Sequence, residues 1–203
     1  MGEALCNKPI PVVQYNQVLS SLFSTGKQML IRAQTDQTKV KLAWNFLCDA
    51  VNGGCIEAIP FRAEACFLQG KIELEKARND PINVKPAWSL LCDAVNGGCI
   101  EAIPFRTEAC FLQGKIELEK ARNDPINAKL AWSLLCDAVN GGCIEATPFR
   151  AEACFLLGKI ELEKARNDPT NAKLAWSLLS NAVKEGCSEA SPLLAEVNSY
   201  VSK

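Results

Sequence analysis

Between Pro60 and Asn79 the apolar positions fall at helical spacing. Ala63, Phe67, Gly70, Leu74 and Ala77 share one face, and Ala65, Leu68 and Ile72 lie on an adjoining one. Glu73, Glu75, Lys76 and Arg78 fill the remaining arc. Two apolar faces predict a helix packed on both sides. Pro60 suits its first turn, where a missing N–H is not needed. Asn79-Asp80-Pro81 breaks the pattern, and a second helix follows with Ala87, Leu91, Ala94 and Val95 on one face beside Trp88 and Cys92. With Asn83 as N-cap, Pro86 falls in the tolerated first turn. Gly97-Gly98 ends this helix. Gly97 becomes Glu185 in the last copy while Gly98 persists as Gly186, so Gly98 is the better candidate for the left-handed position after the helix.

The pair is written several times. Residues 44–87, 88–131 and 132–175 are near-copies with a 44-residue period, marked by Trp44, Trp88, Trp132 and Trp176. The first two copies differ at five positions and the next two at four, so the chain repeats one surface. Gly26 and Asp36 precede Gly70 and Asp80 by the same interval, which makes residues 12–34 a diverged first helix. Pro192 to Glu196 matches Pro148 to Glu152, a truncated fifth one. The expected fold is all-α: a right-handed α-solenoid of antiparallel helix pairs, about nine helices in all. Residues 1–11 form an irregular N-terminal segment, 12–187 four tandem helix-pair repeats, and 188–203 a C-terminal capping helix. A mid-helix glycine costs roughly 1 kcal/mol against alanine. Its recurrence at Gly26, Gly70, Gly114 and Gly158 points to close approach of a neighbouring helix.

The run Lys85-Pro86-Ala87-Trp88-Ser89-Leu90-Leu91-Cys92-Asp93-Ala94-Val95-Asn96-Gly97-Gly98-Cys99-Ile100-Glu101-Ala102 resembles the second-helix pattern of Sel1-like repeats, in the tetratricopeptide superfamily. The matching spacing is Ala87, Leu91, Ala94-Val95, Gly98 and Ala102, and it recurs from Ala43, Ala131 and Ala175. The first helix departs from that family. Its Leu-Gly pair is spread into Leu68-Gln69-Gly70, its Gly-x-Gly turn is missing, and Ile103-Pro104-Phe105-Arg106 looks inserted. The resemblance implies an adaptor or scaffold that binds a protein or peptide on a surface lined largely by first helices.

Charge and chemistry narrow the picture further. Twenty-two Lys and Arg against 23 Asp and Glu leave a net charge of −1, without the basic stripe that nucleic-acid binding requires. No apolar run approaches a membrane span, and the start of the chain lacks the basic and apolar regions of a secretory signal, so a soluble, cytoplasmic protein is the default. Met1-Gly2 carries Cys6 where a myristoylation site prefers Ser or Thr. With no histidine in the chain, Ser-His-Asp and Cys-His catalysis are impossible, and no Gly-rich phosphate loop appears. A non-catalytic role without a cofactor is expected.

The eleven cysteines are the chemical oddity, three to each internal repeat, as in Cys48, Cys55 and Cys66. Seven residues of continuous helix separate a pair by ~10 Å of rise, beyond the ~7 Å Cα limit for a disulfide, but the Gly53-Gly54 break interrupts the helix before Cys55 and leaves bridging open. Ser180, however, stands opposite Cys48 while Cys187 persists opposite Cys55. Metal binding is poorly supported without histidine or a Cys-x-x-Cys pair. Small buried packing residues are the leading reading, ahead of disulfides and of thiol redox or metal chemistry. Cysteine-rich relatives of the Sel1-like type carry disulfide-linked helices, at positions that do not match those here.

Trp88 and its equivalents are read as packing rather than as partner anchors. The polar stripe of the first helix supplies the partner-binding candidates: Lys71, Glu75 and Arg78, repeated as Lys115, Glu119 and Arg122 and as Lys159, Glu163 and Arg166. Their alternative is a solvated face laced by helical ion pairs. Against the scaffold reading stand a structural or engineered array without a specific ligand, and a cysteine-based redox or metal-binding protein.

Overall fold

A computed structural model describes residues 12–81 and 84–201. The expected irregular segment 1–11, Cys6 and the expected cap Asn83 lie outside the described residues. Every regular element among those described is helical. The α-helices are α1 (Val12–Ala33), α2 (Val40–Asn52), α3 (Ile59–Asn79), α4 (Val84–Asn96), α5 (Ile103–Asn123), α6 (Ala128–Asn140), α7 (Thr147–Asn167), α8 (Ala172–Lys184) and α9 (Ala190–Val201). Ile103-Pro104-Phe105-Arg106, which looks inserted relative to the Sel1-like pattern, is the opening turn of α5.

Two compact units divide the described residues. The first runs to Ile72 and includes Leu90–Ala102; the second comprises Glu73–Ser89 and the chain from Ile103. In the first unit α1 packs against α2 around Leu30, Ala43, Leu47, Ala50, Ala58 and Ala65, with Trp44 lying on this cluster. In the second, α5 pairs with α6, α7 with α8, and α8 with α9. Trp88 and Trp132 pack beside Leu134, Leu135 and Ala138, whereas Trp176 is 41% exposed and donates its indole N–H to Asn198 Oδ1 at 2.7 Å. The tryptophans up to Trp132 thus serve packing, and the last one fastens α9.

Among the described residues, three helix pairs share the same local chemistry. After the first helix, an aspartate caps a single 3-10 turn. Asp124 accepts from the Ile126 N–H at 3.2 Å, as Asp36 does from Thr38 and Asp168 from Thr170, both at 3.0 Å. At the place equivalent to the expected cap Asn83, Asn127 is the N-cap residue of α6. It is already helical (φ −81°, ψ −13°) and makes no side-chain cap bond, because the free N–H groups are met one turn earlier. The second helix ends as expected. Gly98 has φ +93°, its N–H donates to Val95 O at 3.0 Å, and the Cys99 N–H donates to Ala94 O at 2.9 Å. The glycine is needed because a side chain at that φ is strained.

The mid-helix glycine also has a steric cause. A Cβ on Gly70 would lie 2.8 Å from Leu91 Cγ, and one on Gly114 would lie 2.8 Å from Leu135 Cγ. Leu91 and Leu135 are fully buried, so glycine permits close approach of the paired helices.

Candidate interaction face

The polar stripe of the first helices resolves into two kinds of contact. Toward the middle of each helix a lysine lies near a phenylalanine ring. In the first unit Lys27 Nζ stands 5.3 and 4.6 Å from the Phe23 and Phe61 centroids, and Lys71 stands 5.2 Å from Phe67. In the second unit Lys115 lies 5.3 and 5.1 Å from Phe111 and Phe149, and Lys159 lies 5.3 Å from Phe155. Phe23 with Phe61 and Phe111 with Phe149 meet edge to face, at 5.4 and 5.6 Å between centroids. The exposed ammonium is thereby held over apolar surface by cation–π attraction of about 0.5–1 kcal/mol.

At the helix ends, in the second unit, the arginines tie one first helix to the next. Arg78 donates from Nε to Glu108 Oε1 at 2.8 Å and from Nη2 to Glu108 Oε2 at 2.9 Å, while Nη1 holds Glu75. Arg122 grips Glu152 at 2.7 and 2.9 Å and pairs with Glu119. Arg166 grips Glu196 at 2.9 and 3.0 Å and pairs with Glu163. Hydrogen bonding to Arg166 pulls the Glu196 carboxyl below its ordinary range. These forks are bidentate, which fixes their geometry. Their side chains are still 33–45% exposed, so solvent screens each pair and its contribution to stability is small.

Glu75, Arg78 and their repeats therefore come together, with the arginines turned onto a neighbouring helix. Lys71, Lys115, Lys159 and the glutamates Glu75, Glu119 and Glu163 remain exposed. Sequence reasoning missed Glu108, Glu152 and Glu196 as the arginines' partners. The signal present was an Arg followed by a Glu thirty residues on, three times over.

It also missed a groove. In the first unit, Glu64, Phe67 and Leu68 of α3 face Gly98, Cys99 and Glu101 across ≈ 350 Å³. In the second unit the equivalent Glu152, Phe155 and Leu156 of α7 face Gly186, Cys187 and Glu189 across ≈ 560 Å³. A Cβ on Gly98 or Gly186 would meet no neighbouring atom within 4 Å. Both grooves are walled by carboxylates and an aromatic ring, and no lysine or arginine lines either. In the second, Glu152 is already held by Arg122. Glu185 is held by Arg150, whose Nε and Nη2 donate at 3.1 and 2.7 Å.

None of the ten described cysteines is in a disulfide. Burial pushes Cys66 up to about 11 and Cys154 up to about 12, which disfavours the nucleophilic thiolate. The half-buried Cys99 donates to Glu101 Oε2 at 3.5 Å. Among the described residues no cluster of three metal-ligating side chains occurs, and no helix is long and apolar enough to cross a membrane. No protein-family model, curated protein or solved structure matches the chain.

Proposed function

We propose that this chain is a non-catalytic protein-interaction scaffold. In this reading it is a right-handed α-solenoid of antiparallel helix pairs with a 44-residue period, similar to Sel1-like repeats, and it binds an extended protein segment along its first-helix surface. The observation that carries the reading is the recurrence of one groove. Glu64, Phe67, Leu68, Gly98, Cys99 and Glu101 return as Glu152, Phe155, Leu156, Gly186, Cys187 and Glu189. A surface built from copies favours several weak contacts over one pocket, and linked weak contacts multiply in affinity. The Arg–Glu forks hold neighbouring first helices in register, which lowers the ordering cost of binding. Carboxylate-lined walls favour a protein segment over a phosphate backbone.

The test compares two triple variants in binding to a captured partner. Lys71→Ala with Lys115→Ala and Lys159→Ala removes the exposed ammonium groups while leaving the Arg–Glu forks intact. Lys85→Ala with Lys129→Ala and Lys173→Ala removes equally exposed lysines from the second helices. The first set should weaken binding about tenfold or more and the second should leave it within about twofold. Equal losses, or none, reject the first-helix surface.

A further inference from the structure

Three glutamates at equivalent places, Glu108, Glu152 and Glu196, each receive a two-pronged guanidinium from the arginine thirty residues earlier. Glu64 is the fourth member of that series, and thirty residues before it stands Gln34, a neutral amide. Glu64 is exposed, and among the described residues no hydrogen bond or ion pair holds its carboxylate. This open carboxylate is also a wall of the first unit's groove, where Phe67 and Leu68 lie beside it and Glu101 opposite. Ile100, next to Glu101, is 73% exposed, an apolar side chain left in solvent beside the groove.

We propose that this groove receives an arginine of an extended segment of a partner protein, with Glu64 taking the guanidinium. The inference rests on the scaffold reading and names the partner's chemistry. The chain supplies its own template, since the fork that Arg122 presents to Glu152 on the equivalent wall is the contact the partner makes on Glu64. The guanidinium is planar and donates two parallel N–H groups to the two carboxylate oxygens, a match that lysine cannot make. Leu68 and the exposed Ile100 suit the apolar stem and a neighbouring apolar side chain. Two carboxylates and no lining cation give the groove the charge that complements such a segment. In the second unit the chain's own Arg122 already occupies Glu152, so one arginine binds per chain, at the first unit.

The probe is a peptide, Gly-Leu-Arg-Leu-Gly, titrated into the full-length chain and followed by amide chemical shifts. Its control replaces arginine by citrulline, which keeps the shape and removes the charge. Saturable shifts are expected at Gly98, Cys99 and Glu101, with the citrulline peptide about tenfold weaker or worse. Glu64→Gln should weaken the arginine peptide about tenfold. Gln34→Arg should do the same while leaving the melting temperature unchanged or higher, because it recreates the pair the other repeats already carry. The inference is overturned if the citrulline peptide binds equally, if both variants bind as the wild type, if the shifts centre on Gly186 and Cys187, or if no peptide binds. A captured partner that is weakened by the lysine triple variant but unaffected by Glu64→Gln also overturns it, and leaves the scaffold reading standing.

Discussion

Gly114 sits in the middle of α5, opposite Leu135 of α6, and Leu135 is 0% exposed. A methyl group added at Gly114 would stand 2.8 Å from Leu135 Cγ, 2.9 Å from its Cδ2 and 3.4 Å from Leu134 Cβ. Ordinary carbon contacts need about 3.5–4.0 Å, so close to an ångström of space must be found between two buried helices. Overpacking of this kind costs about 1–3 kcal/mol, and the better helix propensity of alanine returns about 1 kcal/mol. Gly114→Ala alone is thus expected to destabilise by about 0–2 kcal/mol, too wide a range to settle the cause. The double-mutant cycle does settle it. Leu135→Ala alone should cost about 2–5 kcal/mol through the cavity it leaves. That cavity accepts the new methyl, so the double variant should cost at least about 1 kcal/mol less than the sum. The assay is equilibrium urea unfolding of the four proteins, followed by far-ultraviolet circular dichroism. Additivity within about 0.5 kcal/mol would refute close approach as the reason for the glycine.

Glu185→Ala strips Arg150 of its carboxylate at a pair only about a fifth exposed on each side, and should lower the urea-unfolding free energy by about 1–3 kcal/mol; a loss below about 0.3 kcal/mol would mean that the pair behaves as if fully solvated. At about pH 8, iodoacetamide should modify the half-buried Cys55 and Cys187 well before Cys66 and Cys154, with peptide mass mapping giving the order. Because burial raises the folded-state values of Cys66 and Cys154 above the ordinary 9.0, their stabilising effect is full below that pH. It is lost as pH rises through about 11 for Cys66 and about 12 for Cys154, and Cys66→Ala should flatten this alkaline decline in the urea midpoint. The Glu196 carboxyl is held low by Arg166, so its support for folding is full above its ordinary value of 4.5 and lost as pH falls through the lowered one. A carboxyl-carbon titration in Arg166→Gln should return it toward that ordinary value, and an unmoved midpoint would contradict the fork.

Much of the local structure was legible because its causes are local. The span of α3, the left-handed Gly98 and the role of Gly70 all follow from periodicity and from what glycine alone permits, and each is found where the pattern places it. The turn before the second helix was legible only in part, for a local reason too. Asn127 and Asp124 both favour helix starts, and only the 3-10 turn between them shows that Asp124 meets the free N–H groups. The stripe of Lys71, Glu75 and Arg78 was legible as a row of charges but not as a division of labour. Arg78 finds Glu108 on another helix, and nothing along one helix reveals that reach. The groove was invisible for the same reason, since Phe67 and Cys99 belong to separate elements.

From the sequence alone came the helices, their stops, the repeated pair and the chemistry that the absence of histidine forbids. These depend on side-chain spacing and backbone preference within a few residues of each position. The tertiary structure decided which charges are consumed inside the molecule and which face outward. That depends on distances between separate helices: Arg78 meets Glu108 and Arg122 meets Glu152 because the residue thirty positions on stands within a guanidinium's reach. Gln34 opposite Glu64 is an ordinary polar residue in the sequence, and becomes a missing partner only once three neighbouring pairs are seen in space.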